Sequence, residues 1–314
     1  MNVLITGYFN DYSKQRVTQS FPENWTIQIV EPQRIEEFIS EANVLIPEHI
    51  EVDEALLNKA QQLKFVQTGA GFDNVDIEAC SKRNIWVSNA AGVNANAVAE
   101  HIMALILGYY KNISFLDQFM KNKGDETKLE YTGSELLGKT IGTIGFGAIG
   151  SRVAELAKAF KMNVLAYDTN KNIQSNNDVE LVDLDTLIRN SDVITINIFL
   201  NESTRNLVDK TFLKQMKSNA LLVNTARGPI VCEDDLIEAL ENNVIGGACL
   251  DVFAVEPLDL DSKLRTLKNV VLTPHSAGMP DGTKFHEARY RFFVQNIERV
   301  MRNESPQNNL NQIK

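Results

Sequence analysis

The sequence predicts an α/β protein built on parallel sheets and divided into two domains. Three observations carry that prediction. Short β-branched runs alternate with helix-like segments along nearly the whole chain. The length of 314 residues suits two domains of roughly 150 residues each. In the second half, one such run opens directly into a glycine-rich turn and then a helix.

Taken in order, strands are expected at NVLIT (2–6), TIQIV (26–30), NVLI (43–46), LKFVQT (63–68) and IWVSN (85–89). Helical patterns such as RIEEFIS (34–40) and DEALLNKAQQ (53–62) separate them. The stretch 94–116 places Val98, Ile102, Leu105 and Tyr109 at i, i+4, i+7 and i+11, which predicts one long amphipathic helix. The polar stretch 121–136 reads as an exposed connection. Alternation then resumes with strands at TIGTIG (140–145), NVLAYD (163–168), VITINI (193–198), ALLVNT (220–225), GACLDV (247–252) and VVLTP (270–274). No internal repeat is visible.

Composition narrows the partners. A net charge of −10 offers no broad basic field, which argues against nucleic acid or an anionic membrane surface. Cys80, Cys232 and Cys249 are an odd number without metal-ligand spacing, so reduced thiols and no metal site are expected. The start, MNVLITGYFN, lacks a basic region and a cleavage site, and reads as a first strand. The longest other apolar run, HIMALILGYY, is shorter than the ~18 residues a membrane span needs. A cytoplasmic location is the expectation.

The segment IGTIGFGAIGSRVAELAKAF supplies Gly145, Gly147 and Gly150 as G-x-G-x-x-G between a strand and a helix whose apolar face is Val153, Leu156, Ala157 and Phe160. The spacing alone is weak evidence, and the strand and helix around it strengthen it. Gly145 would make the tight turn, Gly147 would admit a pyrophosphate to the backbone, and Gly150 would let helix and strand pack closely. The phosphates would meet the unpaired N–H groups of the helix start. The next strand ends at Asp168, 18 residues beyond Gly150, where a carboxylate can accept from an adenosine ribose. A 2′-phosphate there would meet negative charge, so NAD is expected over NADP. A plain strand-end cap is the other explanation of Asp168.

Open α/β sheets bind ligands beyond the C-terminal ends of their strands. Three of those ends carry Arg227, Glu256 and His275. Reducing a 2-oxo acid needs a cation for the carboxylate and carbonyl, and a proton for the developing alkoxide. Arg227 offers the planar fork, His275 a proton near neutral pH, and Glu256 a partner that would fix the ring and raise its basicity. Singly, each has an ordinary explanation, as a surface arginine, a turn carboxylate and a strand-end cap.

Six segments, taken together, resemble the D-isomer-specific 2-hydroxyacid dehydrogenase family over essentially the whole chain. They are GAGFDNVD (69–76), VAEHIMALIL (98–107), GKTIGTIGFGAIGSRVAELAKAF (138–160), NTARGPIV (224–231), GACLDVFAVEPL (247–258) and TPHSAG (273–278). The resemblance implies two Rossmann/flavodoxin-like domains with a cleft between them. A substrate domain of residues 1–98 plus 282–314 would be interrupted by an NAD domain of residues 99–281. It implies a catalytic group of Arg227, Glu256 and His275, and a substrate carboxylate held by the backbone of Ala70 and Gly71 with Arg227 and His275. Around NAD it places Val98, Gly145, Gly147, Ala148, Ile149, Gly150, Asp168, Thr204, Thr225, Ala226, Asp251 and Ala277. Val98 would press on the nicotinamide and Asp251 would accept from its carboxamide. Relatives of this kind dimerise through the NAD domain, so a homodimer is implied as well.

Two departures stand out. Asn197 and Phe199 occupy positions where the family commonly has His and Pro. At the expected side-chain pocket, Pro47-Glu48-His49 and Gln67 supply no cation, which predicts that substrates with a second anionic group are disfavoured relative to glyoxylate, hydroxypyruvate or another small neutral 2-oxo acid. A phosphoglycerate dehydrogenase-like enzyme and an NAD(H)-sensing corepressor-like protein remain open as alternatives. A formate dehydrogenase-like reading is weakened by Glu256, where that branch carries Gln.

Overall fold

The computed structural model describes residues 1–313 apart from 126, 128, 130–132, 171, 172, 174–178 and 279–286. The chain divides into two compact units, residues 1–94 with 279–314, and residues 95–278.

The first unit contains β1 (Asn2–Thr6), α1 (Asp11–Gln19), β2 (Thr26–Val30), β3 (Val44–Ile46), α2 (Glu54–Lys59), β4 (Phe65–Gln67), α3 (Ile77–Lys82) and β5 (Trp86–Ser88). Its five strands are all parallel, in the order β2-β1-β3-β4-β5. Continuous apolar strands such as Val44–Ile46 are buried on both faces, as a helix-covered parallel sheet requires. Residues 34–40, expected as a helix, form two 3-10 turns, Pro32–Glu37 and Ile39–Glu41.

The second unit starts with α4 (Ala95–Tyr110) and α5 (Ile113–Lys121). The single long helix expected over 94–116 is therefore two, because Asn112 adopts a left-handed conformation (φ 51°) that breaks the ladder. Val98, Ile102 and Leu105 are buried as their spacing predicts, and Tyr109 donates its hydroxyl to Gly246 O at 2.8 Å. All of α4, Val98 included, falls in the second unit, whereas the expected boundary was 98/99. The other expected boundary, 281/282, lies outside the described residues, as do parts of the polar connection 121–136.

There follow β6 (Thr140–Ile144), α6 (Ala148–Ala159), β7 (Asn163–Tyr167), β8 (Glu180–Leu181), α7 (Leu184–Asn190), β9 (Val193–Ile196), α8 (Lys210–Gln215), β10 (Leu221–Asn224), α9 (Glu233–Glu241), β11 (Gly247–Leu250) and β12 (Val270–Leu272). Seven parallel strands run in the order β12-β11-β10-β9-β6-β7-β8. The two-residue edge strand β8 had no pattern long enough to announce it. On α6 the buried face is Gly150, Val153, Ala154 and Ala157, while Phe160 caps the helix and is exposed. The order reverses between β6 and β9, so a ligand crevice is expected beyond their C-terminal ends.

The last helix, α10 (Glu287–Met301), belongs to the first unit. Buried Asn296 donates to Gln67 Oε1 at 2.9 Å, and Asn311 Oδ1 accepts from Val87 N at 2.9 Å. These bonds tie the end of the chain to β4 and β5. No helix among the described residues is long and apolar enough to cross a membrane.

Candidate active site

The glycine turn after β6 is shaped as its spacing predicts. Gly145 has φ +92°, and a Cβ there would lie 2.5 Å from Asn197 O. A Cβ on Gly150 would lie 2.1 Å from Gly145 O. Nothing lies within 4 Å of a Cβ on Gly147, so this position is open for an approaching group.

Helices α1, α2, α3, α7 and α8 are each capped by an Asn or Asp side chain, whereas α6, with Gly147 at its N-cap, has no side-chain cap, like α5 and α9. The N–H groups of its first turn, at Ala148 and Ile149, stay available to an anion. Asp168, at the end of β7, accepts from Phe146 N and Asn170 N, each at 2.8 Å. It holds the glycine turn while remaining partly exposed. Two buried polar atoms on the same rim, Thr225 Oγ1 and Asn197 Oδ1, have no partner among the described residues. These features fit a dinucleotide, whose pyrophosphate would lie on the α6 turn and whose ribose would meet Asp168. Thr204 lies in the turn after β9, its hydroxyl donating to Phe199 O at 2.8 Å.

Beyond β10, buried Asn224 pins the turn that carries Arg227. Its Oδ1 accepts from Ala226 N at 3.0 Å and its Nδ2 donates to Arg227 O at 2.9 Å. A Cβ on Gly228 would come within 1.8 Å of Phe253 O, so only glycine lets this turn lie against the one after β11. That contact brings the loop of Arg227 to the loop of Glu256.

Glu256 Oε1 accepts from Phe253 N at 3.1 Å, and Oε2 lies 2.7 Å from His275 Nδ1. Burial pushes the Glu256 carboxyl up. The hydrogen bond and charge of His275, the Phe253 N–H and the charge of Arg227 outweigh it and hold the carboxyl below its ordinary value. An ionised Glu256 can only accept, so the proton of this contact sits on Nδ1. Nε2 is left facing outward on a side chain 48% exposed.

His275 itself has φ +51°, an uncommon conformation for a residue with a Cβ. Its N–H donates to Asp251 O at 2.7 Å, which helps to hold it there.

Asp251 directly follows β11. Its carboxylate is wholly buried and already accepts from Thr273 Oγ1 (2.6 Å), Ser276 N (2.9 Å) and Ala277 N (2.9 Å). It anchors the turn that follows His275. Val98 is 4% exposed within the core of its unit.

Sequence reasoning also missed His101, whose Nε2 lies 3.1 Å from Thr273 Oγ1. The threonine proton points to Asp251, so Nε2 of His101 must be the donor. Only the fold shows this contact, because 172 residues separate the pair.

In the first unit, the turn after β4 holds Ala70 and Gly71. Ala70 O accepts from Asn89 Nδ2 at 3.1 Å, and among the described residues no acceptor meets the N–H of Ala70 or Gly71. Gln67 is buried and bonded within the unit. Glu48 is ion-paired with Arg289 of α10, so a cation does stand beside Glu48, contrary to the expectation from its neighbours in sequence.

A parallel sheet with a dinucleotide turn, and a paired imidazole and carboxylate on the same rim, defines a nucleotide-dependent oxidoreductase. Comparison with known proteins sharpens this. Residues 103–277 match the family described as "D-isomer specific 2-hydroxyacid dehydrogenase, NAD binding domain". A Staphylococcus aureus relative, provisionally named a 2-hydroxyacid dehydrogenase, is 43% identical over 229 residues, covering 71% of this chain and 72% of its own.

Among solved structures, the D-lactate dehydrogenase of Aquifex aeolicus with NAD and lactic acid is 28% identical, with a TM-score of 0.83 and 96% of each chain covered. The NAD-dependent formate dehydrogenase of Staphylococcus aureus in complex with NAD is 28% identical, with a TM-score of 0.85 and 100% of each chain covered. The chain belongs to the D-isomer-specific 2-hydroxyacid dehydrogenase family. It is an NAD-dependent oxidoreductase.

Proposed function

We propose that the protein reduces a small neutral 2-oxo acid of the glyoxylate or hydroxypyruvate type to its D-2-hydroxy acid, with Arg227, Glu256 and His275 as the catalytic group. The observation that carries this reading is the 2.7 Å contact of Glu256 with Nδ1 of His275, which leaves Nε2 as the proton donor. NADH supplies the hydride. As the carbonyl oxygen gains charge, His275 Nε2 delivers a proton to it, and Glu256 stabilises the imidazolium. Arg227 polarises the carbonyl and takes a carboxylate oxygen, which its planar fork suits. The N–H groups of Ala70 and Gly71, in the first unit, are available to a carboxylate.

Asp251 and Thr273 position the histidine turn. Gly145–Gly150 would hold the pyrophosphate of NAD, Asp168 its ribose, and Thr225, Ala226 and Ala277 its nicotinamide end. We also read the protein as a cytoplasmic homodimer. Helix α5 supports the dimer, because it has no buried residue and leaves Ile113, Phe115 and Met120 more than half exposed.

The test is NADH oxidation against glyoxylate, hydroxypyruvate, pyruvate, phenylpyruvate and 3-phosphohydroxypyruvate. Turnover of the small neutral acids is expected. Binding of NADH without any turnover would favour the nucleotide-sensing alternative, and a preference for 3-phosphohydroxypyruvate would favour the phosphoglycerate dehydrogenase-like one.

A further inference from the structure

The order β2-β1-β3-β4-β5 reverses its winding between β1 and β3, and open parallel sheets take ligands past the strand ends at such a reversal. The chain leaves β1 as Gly7-Tyr8-Phe9 and β3 as Pro47-Glu48-His49. Thr6 Oγ1 joins them, donating to Glu48 O and accepting from Glu48 N, both at 2.9 Å.

Arg289 reaches this place from α10. Its guanidinium pairs with Glu48 and lies 5.1 Å over the Phe293 ring. A Cβ on Gly69 would stand 3.1 Å from Arg289 Nη2. The ion pair therefore sits at the edge of the turn whose Ala70 and Gly71 N–H groups are available to a carboxylate. Its side chains are only 25% and 27% exposed, so water screens their charges weakly.

We propose that the Glu48–Arg289 pair is the side-chain filter of this enzyme. It accepts a short hydroxylated side chain and turns away one ending in a second carboxylate. The proposal rests on the reading of the protein as a 2-oxo acid reductase. A hydroxyl can donate to Glu48 and accept from Arg289 without disturbing either charge. A methyl group covers the pair but replaces none of the hydrogen bonds that water gave it. A second carboxylate gains Arg289 but meets Glu48, and like charges at low exposure repel.

The test is calorimetric titration of the NAD-saturated full chain with D-lactate, D-glycerate and D-malate, which differ in bearing methyl, hydroxymethyl and carboxymethyl groups. In the wild type, D-glycerate is expected to bind about tenfold tighter than D-lactate, with D-malate weakest. In Glu48→Gln, D-malate should gain about tenfold relative to D-lactate, because the carboxylate that repels its second carboxylate is gone.

The double variant Glu48→Gln, Arg289→Met removes both charges of the pair together, so it tests the filter even if the single variant fails to fold. It should bind D-glycerate and D-lactate alike. Equal binding of these two by the wild type, or an unchanged malate-to-lactate ratio in Glu48→Gln, would overturn the filter. These are binding ratios, so failure of catalysis on every 2-oxo acid would count separately, against the reductase reading.

Discussion

Glu256 Oε2 and His275 Nδ1 stand 2.7 Å apart, each at the exit of a different strand of one parallel sheet. The carboxylate fixes which ring nitrogen carries its proton and supplies the charge that an imidazolium would need. Replacing Glu256 with Gln should lower turnover by about tenfold or more, with the KM for NADH nearly unchanged. Steady-state kinetics on the best substrate checks this, and a change confined to the KM for NADH would contradict it.

The same pair makes stability depend on pH. Although burial opposes it, Glu256 is held below its ordinary value by His275, Phe253 N and Arg227. A lowered folded-state value stabilises the fold above the unfolded carboxylate range, near ~4.3, and that contribution disappears as pH falls through the folded value. The melting temperature of wild type should exceed that of Glu256→Gln at pH 7, and the gap should close below about pH 4. A gap that widens on acidification would refute the assignment.

Two glycines on the same rim should behave oppositely. Gly228→Ala would force a methyl to within 1.8 Å of Phe253 O and should cost about 3 kcal/mol or more, seen in denaturant unfolding. Gly147→Ala meets nothing within 4 Å, so it should fold normally and instead weaken NADH binding. Equal destabilisation by both substitutions would show that the open space at Gly147 is not a ligand approach.

Asp168 should govern the choice of nucleotide. In the proposed mode of NAD binding its carboxylate would meet the ribose, while its oxygens hold Phe146 N and Asn170 N. Asp168→Ser should lower kcat/KM with NADH and reduce the NADH-to-NADPH preference by about tenfold. An unchanged preference would mean that the carboxylate only holds the turn.

Much of this was legible in the chain because it is local. G-x-G-x-x-G between a strand and a helix dictates its own geometry, and strands of apolar β-branched residues reveal both sheets and their exits. What could not be read arises from contacts far apart in sequence. Arg289 meets Glu48 across 241 residues, and His101 reaches Thr273 across 172. The burial of Asp251 follows from a turn that folds back on it, and the break between α4 and α5 from one left-handed asparagine. A periodicity that continues through residue 112 hides such a break, because apolar spacing reports the buried face and not the backbone of a single residue.

The central claim is that His275 delivers the proton, and the most direct measurement is NADH oxidation at 340 nm by wild type and His275→Gln, with NADH binding measured in parallel. The variant should bind NADH as wild type does and turn over the best 2-oxo acid at least about 100-fold more slowly. Wild-type turnover by His275→Gln would contradict it.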